Sequence, residues 1–256
     1  MPRKFKIFTL KINLNKEHCS DGTKFVIKAK MKNLSRILIL LVGFLSTSCI
    51  EIIDDLLIHD DGSGILKYTL NLSSSKVKVN SYLALDSVQG QRVPKIPEIK
   101  EKVAAFKKHL SSQKGITNVI IEENYTDFIF KFSCGFSSPQ ALQSAIQASA
   151  AHMAKDQTIA ESNAKWIIWD GSSLTRSIPE ITSKKVKELD KKEEDLLKQG
   201  SYTSITRFDR TIEKFDNQNA KLSKSQMALM LKVDTYSLKE NENLLENRII
   251  LSKIKN

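Results

Sequence analysis

The segment from Met31 to Cys49, MKNLSRILILLVGFLSTSC, constrains this chain more than any other stretch, because it decides which residues belong to the folded product. Lys32 and Arg36 precede an apolar run from Ile37 to Leu45, and Ser46, Thr47 and Ser48 follow it. A positive start, a short apolar middle and small residues at the end are the physical signature of a secretory signal. As a helix the run rises about 14 Å at roughly 1.5 Å per residue, against a bilayer core about 30 Å thick. It is too short to span a membrane, so residues 31–48 are expected to be removed as a signal peptide.

This division changes how the charge is read. The formal net charge of the 256-residue chain is +11. Residues 1–48 hold ten of the 40 Lys and Arg (Arg3, Lys4, Lys6, Lys11, Lys16, Lys24, Lys28, Lys30, Lys32, Arg36) but only Glu17 and Asp21 of the 29 acidic residues. From Cys49 onward 30 basic residues therefore face 27 acidic ones. The basic character belongs to the leader, and nucleic acid is not an expected partner. Residues 1–30 read either as a stretch upstream of a true start at Met31 or as a strand-rich extension, since KFKIFTLKINLN from Lys4 to Asn15 alternates at a period of two.

At Cys49 the segment resembles the lipobox of bacterial lipoproteins. The resemblance implies a diacylglyceryl group on the Cys49 thiol, palmitate-type acyl chains, and cleavage that makes Cys49 the new N-terminus. It departs from the family pattern in one place: Ser46 stands three residues before the cysteine where Leu is usual, and Leu45 stands four before it. Two or three chains give durable attachment at ~0.8 kcal/mol per buried methylene, so the partner it implies is a membrane, held through Cys49. Ile50 rather than Asp follows the cysteine, which by the same resemblance favours the outer membrane of the cell envelope, on its periplasmic or surface face.

The remaining chain predicts an α+β fold, with antiparallel hairpins and helices packed on one face, arranged as two related halves over 49–156 and 164–254. Ile50 to Leu72 reads as a hairpin turning at His59-Asp60-Asp61-Gly62-Ser63-Gly64. Ser73 to Val93 reads as a polar connection. Ile96, Ile99, Val103, Phe106 and Leu110 recur at helical spacing, with Gly115 as the stop. A second hairpin over Ile116 to Phe136 is expected to turn at Glu122-Glu123-Asn124, and Ser138-Pro139 to open a helix. Beyond it, Lys165 to Arg176 predicts a strand pair turning at Asp170-Gly171. Pro179 opens a charged helix to about Gln199, and strands follow over Tyr202 to Phe215, Gln226 to Tyr236 and Arg248 to Ser252. The span from Cys49 to about Lys155 resembles envelope lipoproteins of Bacteroidota, a likeness that implies location and no catalytic residues.

Chemistry-bearing motifs are sparse. There is no GxSxG, HExxH, P-loop or GxGxxG. Asp60, Asp61 and Ser63 lack the length and terminal Glu of a calcium loop and read as a turn. The cysteines at 19, 49 and 134 have no metal-ligand spacing, so no metal and no cofactor is expected, and Cys134 reads as a buried small hydrophobe. His59, His109 and His152 are the only imidazoles after the leader; His152 reads as a helix C-terminal dipole partner. The expectation is a non-enzymatic envelope interaction or structural module with an envelope protein partner. The alternative is a carrier or sensor holding an apolar ligand between sheet and helices beside Trp166 or Trp169.

Overall fold

A computed structural model describes residues 50–88, 90–159, 165–178 and 198–253. Cys49, the signal segment, the strand-like reading of Lys4 to Asn15 and nearly all of the charged helix expected from Pro179 lie outside the described residues.

The first hairpin forms where its alternation and turn residues place it. Strands β1 (Glu51–Ile58) and β2 (Gly64–Asn71) pair antiparallel, Glu51 opposite Asn71 and Ile58 opposite Gly64. Their turn is fixed by Asp61, whose carboxylate accepts from the backbone N–H of Ser63 at 2.8 Å, and by Gly62 at φ +83°. β5 (Ile116–Asn124) and β6 (Ile129–Phe136) form the second hairpin, but the reversal falls at Tyr125 to Phe128, later than expected. Asn124 sets it there: its side-chain oxygen accepts from the backbone N–H groups of Thr126 and Asp127, each at 2.9 Å. Glu122 and Glu123 stay in the strand.

The segment read as a polar connection carries structure. A 3₁₀ turn at Ser73–Ser75 leads into α1 (Lys76–Leu83), and two short strands, β3 (Ser87–Val88) and β4 (Gln91–Arg92), follow. Helices α2 (Ile96–Ser111) and α3 (Pro139–Ala154) stand where their apolar spacing put them, each with proline in the first turn. Ser138 caps α3 by accepting from the backbone N–H of Ala141 at 3.1 Å. The buried amide of Gln143 then ties α3 to the next strand, accepting from the N–H groups of Trp166 and Ile167 and donating to the carbonyl of Ile167 at 2.8 Å.

Strands β7 (Ile167–Trp169) and β8 (Ser173–Arg176) turn at Asp170 to Ser172. After them come β9 (Ser201–Phe208), β10 (Ile212–Phe215), β11 (Lys221–Leu222), β12 (Ala228–Asp234), a short helix α4 (Thr235–Glu240) and β13 (Asn247–Leu251). They assemble into two main sheets. One has seven strands in the order β11-β12-β9-β1-β2-β6-β5, and the other four in the order β10-β13-β8-β7.

The α+β class stands, with one correction to the all-antiparallel expectation. β1 and β9 run parallel over eight residues, from Glu51 opposite Ser201 to Ile58 opposite Phe208. A parallel pair needs a long crossover, and here it runs from β2 through β8, which brings the first strand and one from the last quarter of the chain to the centre of one sheet. Directly opposed residues share a face. The inner face therefore reads, row by row, as Gly64-Ile58-Phe208, Leu66-Leu56-Thr206-Leu229 and Tyr68-Asp54-Ser204-Leu231. Leu56, Ile58, Leu229 and Phe208 pack there against Leu174, Ile249, Leu251 and Ile212 of the smaller sheet, while Leu110 of α2 and Leu142 of α3 cover the side nearest β5 and β6.

Candidate functional site

One charge interrupts the inward apolar row of β1. Ile52, Leu56 and Ile58 point into the core, and Asp54 shares their face at the middle strand of the seven. Its side chain is 9% exposed. An isolated buried carboxylate is prohibitively costly, so the fold surrounds it with donors. Arg176, at the end of β8 and 5% exposed, crosses from the smaller sheet and gives an Nη2 hydrogen bond to Asp54 Oδ1. Tyr202 donates its phenol to Oδ2, and Ser204 donates to Oδ1 at 3.1 Å. Arg176 spends its other amino group on the carbonyl of Ile205 at 3.0 Å and the hydroxyl of Thr206 at 2.9 Å.

Neighbouring phenols register this environment. Burial, with the charge of Asp54 second, pushes the hydroxyls of Tyr68 and Tyr202 well above the ordinary tyrosine range. Both phenols therefore stay protonated, and Tyr202 acts as a fixed donor. Beside the cluster lies a cavity of about 10 Å³ bounded by Arg176, Ser204, Thr206, Leu231 and Asn247. That is room for about one water molecule and for no substrate. Chemically, the arrangement clamps two sheets together; its donors and acceptors are spent on one another.

The imidazoles are placed apart from it. His59 Nδ1 meets Asp209 at 2.9 Å in an exposed pair at the turn end of the first hairpin. Beside it Arg210 binds Asp60 and the carbonyls of Ser252 and Gly171, at 2.8 and 2.6 Å for the last two, so that one guanidinium ties three loops. His109 and His152 stack with ring centroids 4.4 Å apart, and His109 Nδ1 lies 3.1 Å from the hydroxyl of Ser149. His152 occupies the last turn of α3, as its expected dipole role requires. Among the described residues no three His, Cys, Asp or Glu side chains gather as metal ligands.

Cys134 is buried at the centre of the main core, and burial pushes its thiol up to about 11. Trp166 and Trp169, which only the alternative carrier reading would set beside a ligand pocket, are packing residues. Trp166 sits in the core at 6% exposure, and Trp169 stacks on Phe208 at 6.2 Å. A shallow groove of about 260 Å³ lies elsewhere, on the outer face beside Lys67, Thr69, Ile120, Glu122 and Lys131. Three charged side chains, Lys67, Glu122 and Lys131, line it beside Ile120.

Sequence reasoning missed Asp54, Arg176 and Tyr202 as a unit. A signal for Asp54 was present, since a carboxylate at an inward position of an Ile-x-Asp-x-Leu-x-Ile alternation demands a buried partner. Nothing local names Arg176, which lies 122 residues away.

The expected anchor residue adjoins the same central strand. Ile50, the neighbour of Cys49, already belongs to the sheet, its carbonyl accepting from the N–H of Ser201 at 2.8 Å. β1 begins one residue later. Any group carried on Cys49 is thus tied to the middle of the seven-stranded sheet with no intervening linker.

No family model matches the chain, and no curated protein matches it. Among solved structures it is similar to the NMR structure of the folded domain of LppM from Mycobacterium tuberculosis, with a TM-score of 0.36 and 8% identity over 80% of this chain and 91% of that one. A likeness at that score carries no argument about function.

Proposed function

We propose that this protein is a lipid-anchored component of the bacterial cell envelope, tethered through Cys49 to the outer membrane, whose folded domain serves as a non-catalytic interaction or structural module. The observation that carries the reading is the signal-like segment ending in Cys49, two residues before β1 begins. Among the described residues no helix is long and apolar enough to cross a membrane. The clamp at Asp54 supports a structural rather than a catalytic role for the buried charges, because its groups saturate one another beside a cavity too small for a substrate.

Intact-mass measurement of the protein extracted from its membrane, beside a Cys49→Ser variant, tests this. The expected product begins at Cys49 and carries the added mass of acyl chains; the variant lacks that mass and leaves the membrane fraction. A wild-type product that begins at Met1 without lipid overturns the reading. Crosslinking of intact envelopes then tests the module role, with an unrelated lipidated protein as the control. Enrichment of a specific envelope protein supports it, and enrichment of nothing above the control counts against it.

A further inference from the structure

The sheet has two rims, and the sequence assigns one of them to the anchor. Glu51 of β1 lies between Asn71 of β2 and Ser201 of β9; Asn71 in turn faces Ile129, and Ser201 faces Asp234. The rim nearest Cys49 is therefore built from the start of β1, the 3₁₀ turn after β2, the Tyr125 to Phe128 reversal and the start of α4. Helix α1 belongs to this rim, because Lys76 at its first position pairs with Asp127 of that reversal at 3.1 Å.

α1 faces water in a way that its own domain does not explain. None of its residues is buried. Val79, Tyr82 and Leu83 are partly buried, whereas Val77, Lys78, Asn80 and Ser81 of the helix, and Ala84 and Leu85 just past its end, are exposed. Val77 is 82% exposed, more than any other large hydrophobic residue of the described chain, and Leu85 is 48% exposed. Among the exposed residues from Val77 to Leu85, Lys78 carries the one charge. Around it, between Ser73 and Lys102, six basic residues (Lys76, Lys78, Arg92, Lys95, Lys100, Lys102) stand against Asp86, Glu98 and Glu101. Lys76, Arg92 and Lys95 pair with Asp127, Glu98 and Asp86, which leaves exposed Lys78 beside Val77 and Leu85; an apolar pair with a free-standing lysine next to it matches the chemistry of a membrane interface bearing anionic headgroups.

We infer that the exposed side of α1 and the two residues that follow it, with Val77 and Leu85 as its apolar contacts, rests in the interfacial layer of the bilayer that holds Cys49. This rests on the lipid-anchor reading. The absence of a linker supplies the second reason: Cys49 adjoins Ile50, and consecutive Cα atoms are about 3.8 Å apart, so an anchor there holds this rim against the headgroups rather than leaving it on a long tether. The helix adds a second contact, which fixes the tilt of the sheet on the membrane. The far rim, with the His59 to Gly64 turn and Arg210, then faces away from it.

The test uses the processed protein isolated from membranes and reconstituted into vesicles of phosphatidylcholine with phosphatidylglycerol. A polarity-sensitive thiol dye is placed on Val77→Cys or, as the far-rim control, on Lys224→Cys; both positions are exposed, and buried Cys134 stays unlabelled. The inference expects the dye at 77 to shift to the blue, to be quenched by bromolipids and to lose iodide quenching several-fold relative to 224. Lipid mass on the protein with equal iodide quenching at both positions overturns this inference and leaves the anchor standing. Absence of lipid mass overturns the anchor, and this inference falls with it.

Discussion

Asp54 shows how a single inward carboxylate dictates its surroundings. Arg176, Tyr202 and Ser204 all direct donors at it from β8 and β9. Removing one member of a buried pair leaves the other charged in a dry site, so Asp54→Ala is expected to cost about 3–5 kcal/mol in urea unfolding. Replacing Asp54 by Leu, Arg176 by Met and Tyr202 by Phe together removes the need for pairing and is expected to recover most of that loss. If the triple variant is no more stable than the single one, the cluster does more than satisfy itself. A second prediction concerns acid. Hydrogen bonds from Ser173 and then Ser172 hold the Asp170 carboxyl far below its usual range, and Ser63 and Ser237 do the same more mildly for Asp61 and Asp234. Unfolded carboxylates bind a proton near pH ~4, and these folded ones do not. Unfolding therefore takes up protons in acid. The stability these groups add is complete above the unfolded value and is lost as pH falls toward the folded value. Asp170→Asn is expected to flatten the slope of stability against pH below about 4, read from thermal melts across an acid series.

At the level of single elements, turn chemistry decided what the sequence disclosed. The first hairpin was legible to within a residue at its ends because the alternation and the turn glycine Gly62, at φ +83°, agree. Gly64 matters there for a different reason. A Cβ at this position would lie 2.0 Å from the carbonyl oxygen of Leu57 and 2.4 Å from the ring of Phe136. Gly64→Ala is expected to cost about 3 kcal/mol, the upper end for overpacking, with the loss visible as faster hydrogen exchange across the β1–β2 pair. The span of the second hairpin was legible but its turn was set too early, at Glu122-Glu123-Asn124, whereas Asn124 caps the reversal and Phe128 closes it at φ +54°, a conformation that nothing in a phenylalanine announces. α1 went unread since its partly inward residues, Val79, Tyr82 and Leu83, show too short a period to stand out from a polar stretch. Helices α2 and α3 were legible because each presents a longer apolar stripe and a proline start.

For the whole molecule, the parallel β1–β9 contact was the largest feature without a local signal, as pairing partners 150 residues apart leave no periodicity to read. The Asp54 clamp depends on that contact, so the principal polar site was as hidden as the topology. Residues 49–156 contain both early hairpins and helices α1, α2 and α3, yet they lack β9, Arg176 and Tyr202. Expressed alone, that fragment is expected to show no cooperative unfolding transition by circular dichroism, because Asp54 has neither its guanidinium nor its phenol. Cooperative melting of the fragment would mean that the first half is an independent domain.

The same strand order carries a consequence in time. β1 leaves the ribosome early, but one of its two neighbours is made only after another 142 residues have followed it. Until then the future middle of the sheet is a bare edge, with main-chain groups open to any passing strand and a carboxylate awaiting its counter-ion. The centre of the sheet is completed only when β9 arrives, with β11 and β12 added outside it afterwards, so the strand that ends up most enclosed is the one that must be guarded while synthesis continues.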